Sequence, residues 1–414
     1  MKLLWICNKK TKKVSYLLNE PVNPFGGWLD SACQTFTKEK NNELCLMFPD
    51  KKQVHRKTEN FEFFSFTEGN SCEQFKKVIK EISPNIIHIW GTEFRHSLQA
   101  INAAESLGYL DKCVVSIQGL VYIYGKYHYT EGLPVNVIYR FTLRDFFKRN
   151  NIYLSSKKYI CRGHDEIKSI SKCKHVIGRT DWDKAIVNLI NPDVTYHFCN
   201  ESLRDAFYNS KWDISKIKKH SIFVSQCNYP IKGFHYVLEA LAMLVKQYPN
   251  THLYTTGPDL NNLSFQKHLK ITSYQKYLCS LIKKYQLQKH ITFLGTLTEE
   301  KMCEQYLNAH VFVSASTIEN SPNSVGEAML VGCPVVTSDV GGVKNLLNHG
   351  IDGYVYQSSA PYMLAYYISQ IFCNDNLANK FSKNARDHAL KTHSRKINYD
   401  SLINIYKQIE KESD

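Results

Sequence analysis

The sequence predicts an α/β protein of two doubly wound domains facing a cleft, and three observations carry that prediction. The chain has 414 residues, enough for two ordinary domains. Strand-sized apolar runs alternate with helix-sized amphipathic segments from one end to the other, the pattern of βαβ units and parallel sheets. The mix of 43% hydrophobic and 22% charged residues is that of a globular protein, which excludes disordered, collagen-like and rod-like chains.

The first run, Leu3–Cys7, is too short for the apolar core of a signal peptide and reads as a buried strand. Leu44–Phe48, Ile86–Trp90, Val114–Ile117 and His175–Ile177 follow as strands, with helices such as Cys72–Ile82 and Ser97–Leu107 between them. Asn191–Lys219, broken by Pro192 and mixed in charge, reads as a hinge. A second series places strands at Ser221–Ser225, His252–Thr256, Ile291–Leu294, Val311–Ser314 and Pro334–Thr337. Its helices are Phe234–Gln247, Tyr274–Tyr285, Glu299–Leu307 and Ser324–Leu330. The final segment carries Leu402, Ile403, Ile405, Tyr406 and Ile409 at helical spacing. These divisions predict domains at 1–200 and 201–395, with a closing helix at 396–414. No run approaches the roughly 18 apolar residues of a membrane span. The 13 cysteines are dispersed without a CxxC pair, which predicts free thiols in a reducing, cytoplasmic setting.

Several phosphate motifs are absent. No G-x-G-x-x-G follows Leu3–Cys7, which speaks against a dinucleotide dehydrogenase, and there is no Walker A loop or G-x-S-x-G elbow. The informative stretch runs from Val311 to Leu330. A buried strand gives way to a polar loop carrying Glu319 and Pro322, and a helix starts near Ser324 with Glu327 in its first turn. Loop N–H groups at a helix N-terminus make an anion site, and Gly326 lets a ligand approach the backbone. Ser324-x-x-Glu327 is equally a capping box, in which the carboxylate only bonds back to the cap.

The spacing Glu319-x7-Glu327 resembles the signature of family-4 retaining glycosyltransferases. Further pieces match in order: Gly26-Gly27-Trp28, Pro84–Glu93, Val176–Asp183, Tyr229-Pro230-Ile231-Lys232-Gly233, and Gly332-Cys333-Pro334 through Gly341-Gly342. The resemblance covers nearly the whole chain and is strongest to bacterial members that build surface polysaccharides. It implies the GT-B fold, two Rossmann-like domains facing an inter-domain cleft, with the last helix returning to the first domain. It also implies transfer of a hexosyl group from a nucleotide-diphosphate sugar to a glycan acceptor, lipid-linked, with retention by same-face attack. The nucleotide sugar is then a substrate, and no cofactor, metal or protein nucleophile is required.

The resemblance assigns roles by position. Lys232 contacts the diphosphate. Glu319, with the loop and helix start at Asn320, Ser321, Asn323, Ser324 and Val325, holds the donor sugar, and Glu327 takes the ribose hydroxyls. Gly26 and Gly27 offer backbone N–H groups, while the loops at Gly257-Pro258 and Gly295-Thr296-Leu297 hold the base. Two positions depart from the pattern. Cys227 stands where the family commonly has an arginine, so Arg179 becomes a candidate for the second cation. Gln118-Gly119 replaces a His-Gly pair, and glutamine cannot act as a general base at neutral pH. Gln118 and His164 are the candidate acceptor-side residues. Asp181-Trp182-Asp183 spells a metal-binding D-x-D, but Thr180 before it makes a helix cap the better reading.

Charge closes the reading. A net +14 predicts a polyanionic partner: nucleic acid, an anionic membrane or phosphorylated small molecules. Residues 134–163 hold Arg140, Arg144, Lys148, Arg149, Lys157, Lys158 and Arg162 against the single acid Asp145, interleaved with aromatics. This predicts either a solvated helix face or a membrane patch in the first domain, placing the protein peripherally on the inner membrane face. A nucleotide-sugar 2-epimerase of the same fold is the alternative enzyme. A nucleic-acid-binding protein, suggested by charge alone, ranks last because no nucleic-acid module is recognised.

Overall fold

The computed structural model describes residues 1–22, 27–38, 42–59, 61–69 and 71–413, with backbone alone at 265 and 268. The chain divides into two compact units. Unit 1 comprises residues 1–122, 161–203 and 393–414; unit 2 comprises 123–160 and 204–392.

Unit 1 is built on an eight-stranded sheet. Its strands are β1 (Lys2–Ile6), β2 (Glu43–Pro49), β3 (His55–Lys57), β4 (Phe61–Phe66), β5 (Ile86–Trp90), β6 (Cys113–Ser116), β7 (His175–Gly178) and β8 (Thr195–Phe198). The order is β3-β4-β2-β1-β5-β6-β7-β8, parallel except for the β3–β4 edge pair. Central strands covered on both faces must be apolar throughout. Leu3, Leu4, Trp5 and Ile6 are accordingly all fully buried. Trp5 packs edge-on against Phe36 at 4.9 Å and Trp90 at 5.0 Å. The last helix, Arg395–Ser413, joins this core through Leu402, Ile405, Tyr406 and Ile409. His88 lies inside the sheet between the Tyr406 hydroxyl (2.5 Å) and Ser116 Oγ (2.6 Å), a buried structural histidine.

Unit 2 carries a six-stranded parallel sheet in the order β11-β10-β9-β12-β13-β14. The strands are β9 (Ser221–Val224), β10 (His252–Thr255), β11 (Ile291–Phe293), β12 (Val311–Ser314), β13 (Val335–Asp339) and β14 (Tyr354–Gln357). The helix Phe234–Gln247 buries Phe234, Val237, Leu238, Leu241 and Leu244, spaced as one apolar stripe. In both sheets the chain winds outward one way and then the other. The reversal falls between β1 and β5 in unit 1 and between β9 and β12 in unit 2. Such crevices, at the carboxyl ends of the strands, are where doubly wound sheets bind ligands.

The units differ from the sequence-derived divisions in two places. Residues 123–160, read with the first domain, cluster with unit 2. The reason is specific bonding: Asp145 accepts from the Ser273 N–H (2.7 Å), Thr142 Oγ1 donates to the Ile271 carbonyl (2.8 Å), and Thr317 Oγ1 donates to the His128 carbonyl (3.1 Å). Residues 134–160 of the basic aromatic segment therefore cluster with unit 2 rather than with the first domain, while 161–163, with Arg162, stay in unit 1. The expected hinge contains β8 and a short helix, Asp205–Asn209, and the chain passes between units at 203–204. Among the described residues, no helix is long and apolar enough to cross a membrane.

Candidate active site

In unit 2 the loops after β9 and β12 emerge side by side at the crossover. The β9 loop tightens into a 3-10 turn, Pro230–Lys232, and ends at Gly233 with φ 61°. A Cβ at Gly233 would lie 1.8 Å from the Ala315 carbonyl oxygen, so only glycine lets the two loops touch. The Thr317 N–H donates to the Ile231 carbonyl at 2.8 Å and fastens the contact. The outcome is an ion pair between Lys232 Nζ and Glu319 Oε1 at 2.5 Å.

Glu319 is held from several sides. Ser316 Oγ donates to its carboxylate at 2.7 Å, and Ser338 Oγ donates to the Ser316 carbonyl at 2.6 Å. The Gly342 N–H donates to the Glu319 carbonyl at 3.1 Å. Gly341 (φ 50°) presses so close that a Cβ there would stand 1.9 Å from that carbonyl. Burial is the largest single influence and works against the charge of Lys232, but the Glu319 carboxylate, Tyr229 and Tyr159 together raise the lysine pKa. Lys232 keeps 23% of its side-chain surface and Glu319 14%, so a ligand can still reach the pair.

The helix expected near Ser324 runs Asn323–Val331 with Pro322 at its N-cap and no side-chain capping bond. The Ser324/Glu327 capping box does not form. Glu327 instead accepts from Arg204 Nε (2.8 Å) and Nη2 (2.7 Å), and its other oxygen takes a longer bond from the Tyr306 hydroxyl (3.4 Å). A charge-assisted pair outcompetes a neutral backbone cap. Burial still raises the Glu327 pKa against the pull of Arg204. Asn320 and Ser321 are buried, Asn323 and Ser324 half-buried. Val325 is fully buried and its N–H donates to the Pro322 carbonyl at 3.0 Å, so its main-chain donor is already used.

Cys227 cannot replace the missing arginine. It is buried, its Sγ lies 3.1 Å from the Thr256 carbonyl, and burial pushes its thiol up to about 12. Beside Glu327 stands Arg204, a cation that sequence reading missed inside an apparent hinge. Gly257 and Gly295 are joined by a bridge (N to O, 3.0 Å), which brings together the two loops proposed for the base, including half-buried Leu297.

Unit 1 holds the remaining candidates. Gln118 Nε2 donates to Glu201 Oε1 at 2.5 Å, and Arg179 pairs with Glu201 Oε2 at 2.8 Å. Arg179 is 5% exposed and already neutralised, and Glu201 is the partner that sequence reading did not name. Two more carboxyls were missed. Glu166, almost fully buried, accepts from the Val121 and Tyr122 N–H groups (both 3.0 Å) and from Thr92 Oγ1 (3.2 Å), which fixes the loop after β6. Burial raises Glu166 to about 8 and Glu93, in the loop after β5, to about 7. His164 is exposed on the helix Ile152–Lys172 with its ring 5.5 Å from Tyr122. Gly27 is the buried first residue of the helix Gly27–Lys38, and Gly26 lies outside the described residues. Asp183 forms a full capping box with Thr180 and also accepts from the Arg179 N–H (3.0 Å) and the Tyr196 hydroxyl (2.5 Å). Its oxygens are thereby committed to the helix start rather than to a metal.

Comparison with known proteins places this geometry. Residues 206–388, which hold Lys232, Glu319 and Glu327, match the family model "Glycosyl transferases group 1". Bacillus subtilis (strain 168) YtcC, whose glycosyltransferase name is provisional, is 29% identical over 183 residues, 44% of this chain and 43% of that protein. The D-inositol 3-phosphate glycosyltransferase of Corynebacterium urealyticum is 24% identical over 43% of this chain and 41% of its own. The chain thus aligns with less than half the length of these relatives. Solved structures agree over the full length. Anabaena Alr3699/HepE in complex with UDP-glucose superposes with TM-score 0.69 at 14% identity, covering 99% of this chain and 100% of that one. Sucrose-phosphate synthase from Thermosynechococcus elongatus gives 0.68 at 14% identity and 99% coverage of both chains. The whole chain has the GT-B glycosyltransferase fold, and its second unit carries the segment that matches glycosyl transferases group 1.

Proposed function

We propose that the protein is a retaining glycosyltransferase that moves a hexosyl group from a nucleotide-diphosphate sugar to a glycan acceptor, lipid-linked, in surface polysaccharide synthesis. The observation that carries this reading is the Lys232–Glu319 pair, 2.5 Å apart at the crossover of unit 2, inside the segment that matches the glycosyltransferase family. Departure of a nucleoside diphosphate concentrates negative charge on phosphate oxygens, and a fixed cation lowers that barrier. Lys232 takes this role, exchanging its carboxylate partner for the diphosphate. Glu319, released from the lysine but still held by Ser316, accepts from the donor sugar's hydroxyls. Glu327 has one oxygen engaged only by the longer Tyr306 bond, which leaves room to accept from ribose hydroxyls.

The complex of Alr3699/HepE with UDP-glucose supports a UDP-sugar as the first donor to try. A lipid-linked acceptor implies work at the cytoplasmic face of a membrane, with Gln118 and His164 on the acceptor side. The test is a thermal-shift and hydrolysis screen across UDP-, GDP- and ADP-sugars. One nucleotide class should raise the melting temperature and release its nucleoside diphosphate slowly. No shift and no hydrolysis with any of them would contradict the proposal.

A further inference from the structure

Residues 135–149 of unit 2 form a surface that the transfer chemistry does not use. Phe146 is 68% exposed and Phe147 80%, on the short helix Leu143–Lys148, with Val135, Tyr139, Phe141 and Leu143 also exposed. Exposed aromatics in such number are unusual on a protein that meets only water. A groove of about 400 Å³ runs beside them, walled by Phe141, Leu143, Phe146, Leu269 and Ile271, with Lys276 at its edge.

Side-chain bonds fix the backbone of this surface to its neighbours. Thr142 caps the short helix, and Asp145 completes the capping box. Asp145 Oδ2 also accepts from the Ser273 N–H at 2.7 Å, and Thr142 Oγ1 donates to the Ile271 carbonyl at 2.8 Å. These bonds clamp the phenylalanines outward. They also remove the one acid of the segment from the surface, since Asp145 is fully buried. What remains at the surface is basic: Lys148, Arg149, Lys157 and Lys158 are all exposed. Tyr139 packs on Tyr153 at 5.1 Å, and Lys157 lies 5.4 Å over the Tyr153 ring, so the apolar and basic parts are continuous.

We propose that this face docks on an anionic lipid bilayer, with Phe146 and Phe147 entering the interface and Lys148, Arg149, Lys157 and Lys158 meeting headgroup phosphates. Aromatic side chains beside a basic rim are the composition of interfacial membrane contacts. A second copy of the chain fits less well, because a symmetric contact would set the same four cations against themselves. The proposal deepens the reading of a lipid-linked acceptor, and it is measured without turnover.

The test is co-sedimentation of the full chain with vesicles of phosphatidylglycerol mixed with phosphatidylcholine, and with phosphatidylcholine alone. The wild type should bind the anionic vesicles and lose most binding at high salt. The variant F146S/F147S should bind roughly tenfold or more weakly, since each phenylalanine leaves water on insertion. The variant K148A/R149A/K157A/K158A should lose the preference for phosphatidylglycerol. Both variants should melt like the wild type, because the altered side chains are exposed. Wild-type protein left in the supernatant, or F146S/F147S binding like wild type, overturns the proposal. A concentration-dependent dimer abolished by F146S/F147S overturns it in favour of self-association. Vesicle binding without sugar transfer would overturn the enzymatic reading alone; transfer to a soluble acceptor without vesicle binding would overturn this one alone.

Discussion

The two sheets reverse direction in the same way, yet the loops at their crossovers carry opposite chemistry. In unit 2 the loops after β9 and β12 set a cation against a carboxylate, Lys232 and Glu319. In unit 1 the loop after β5 offers Glu93, a carboxyl that burial raises to about 7, and burial with the Glu93 charge nearby raises Glu166 to about 8. The architecture supplies a crevice in both cases, and the side chains decide what it can hold. One crossover presents a fixed cation beside a carboxylate, the chemistry on which the proposed donor site rests. The other stores carboxyl groups whose proton affinity burial raises to near neutrality.

Four experiments break or sharpen that contrast. The largest effect belongs to Glu327→Ala, which strands the Arg204 guanidinium in a buried place. Losing one partner of a buried pair costs about 3–5 kcal/mol, read as a lowered midpoint in urea unfolding, together with weaker donor binding. The double variant E327A/R204M should recover part of that stability. If E327A melts like wild type, the pair is not structural. Next comes Lys232→Ala, expected to slow transfer by roughly 10²–10³-fold through lost charge stabilisation. Nucleotide affinity should change far less, as separate kcat and KM values would show.

A smaller effect follows from Gly341→Ala. The new Cβ meets the Glu319 carbonyl in a left-handed backbone, at a cost of about 1–3 kcal/mol, and should raise the donor KM by moving Glu319. An unchanged KM would mean that Glu319 does not position the donor. The smallest effect separates the crossovers by pH. Glu93 and Glu166 have raised pKa values in the folded state, so they bind protons more tightly there than in the unfolded chain. Their stabilising contribution is complete below the ordinary glutamate value and is lost as pH rises through about 7 and 8. Melting temperature should therefore fall between mildly acidic and mildly basic pH, and Glu93→Gln should flatten the slope. Lys232, whose pKa is raised, stays charged throughout and contributes nothing to it. A slope that persists in E93Q and E166Q alike would remove the carboxyl pair from the account.

Much of the fold could be read from the sequence because buried parallel strands announce themselves as unbroken aliphatic runs, as Leu3–Ile6 and Val311–Val313 do. The edge strand His55–Lys57 could not be read that way, since it is exposed and polar throughout. Glu319 and Glu327 stand out in the sequence by their spacing and Lys232 by the resemblance alone, and the structure brings Lys232 and Glu319 together across 87 positions. Arg204 does not stand out, because it meets Glu327 across 123 positions and sits in a stretch with no periodicity. Glu166 was hidden for the same reason, meeting Thr92 across 74 positions. Ser324-x-x-Glu327 left a capping box open as an alternative, and that local pattern yields because a distant charge offers a stronger bond. The clustering of residues 134–160 with unit 2 was hidden in the same way: the sequence shows their charge but not that Thr142 and Asp145 bond to Ile271 and Ser273.

The most direct measurement follows the products of a single incubation by NMR: the full chain, the nucleotide sugar that stabilises it, and a glycan acceptor. The account predicts release of the nucleoside diphosphate, a new glycosidic bond with the donor's anomeric configuration, and loss of both in K232A, which still binds nucleotide. Conversion of the donor to its 2-epimer without an acceptor, or equal transfer by K232A, would contradict it.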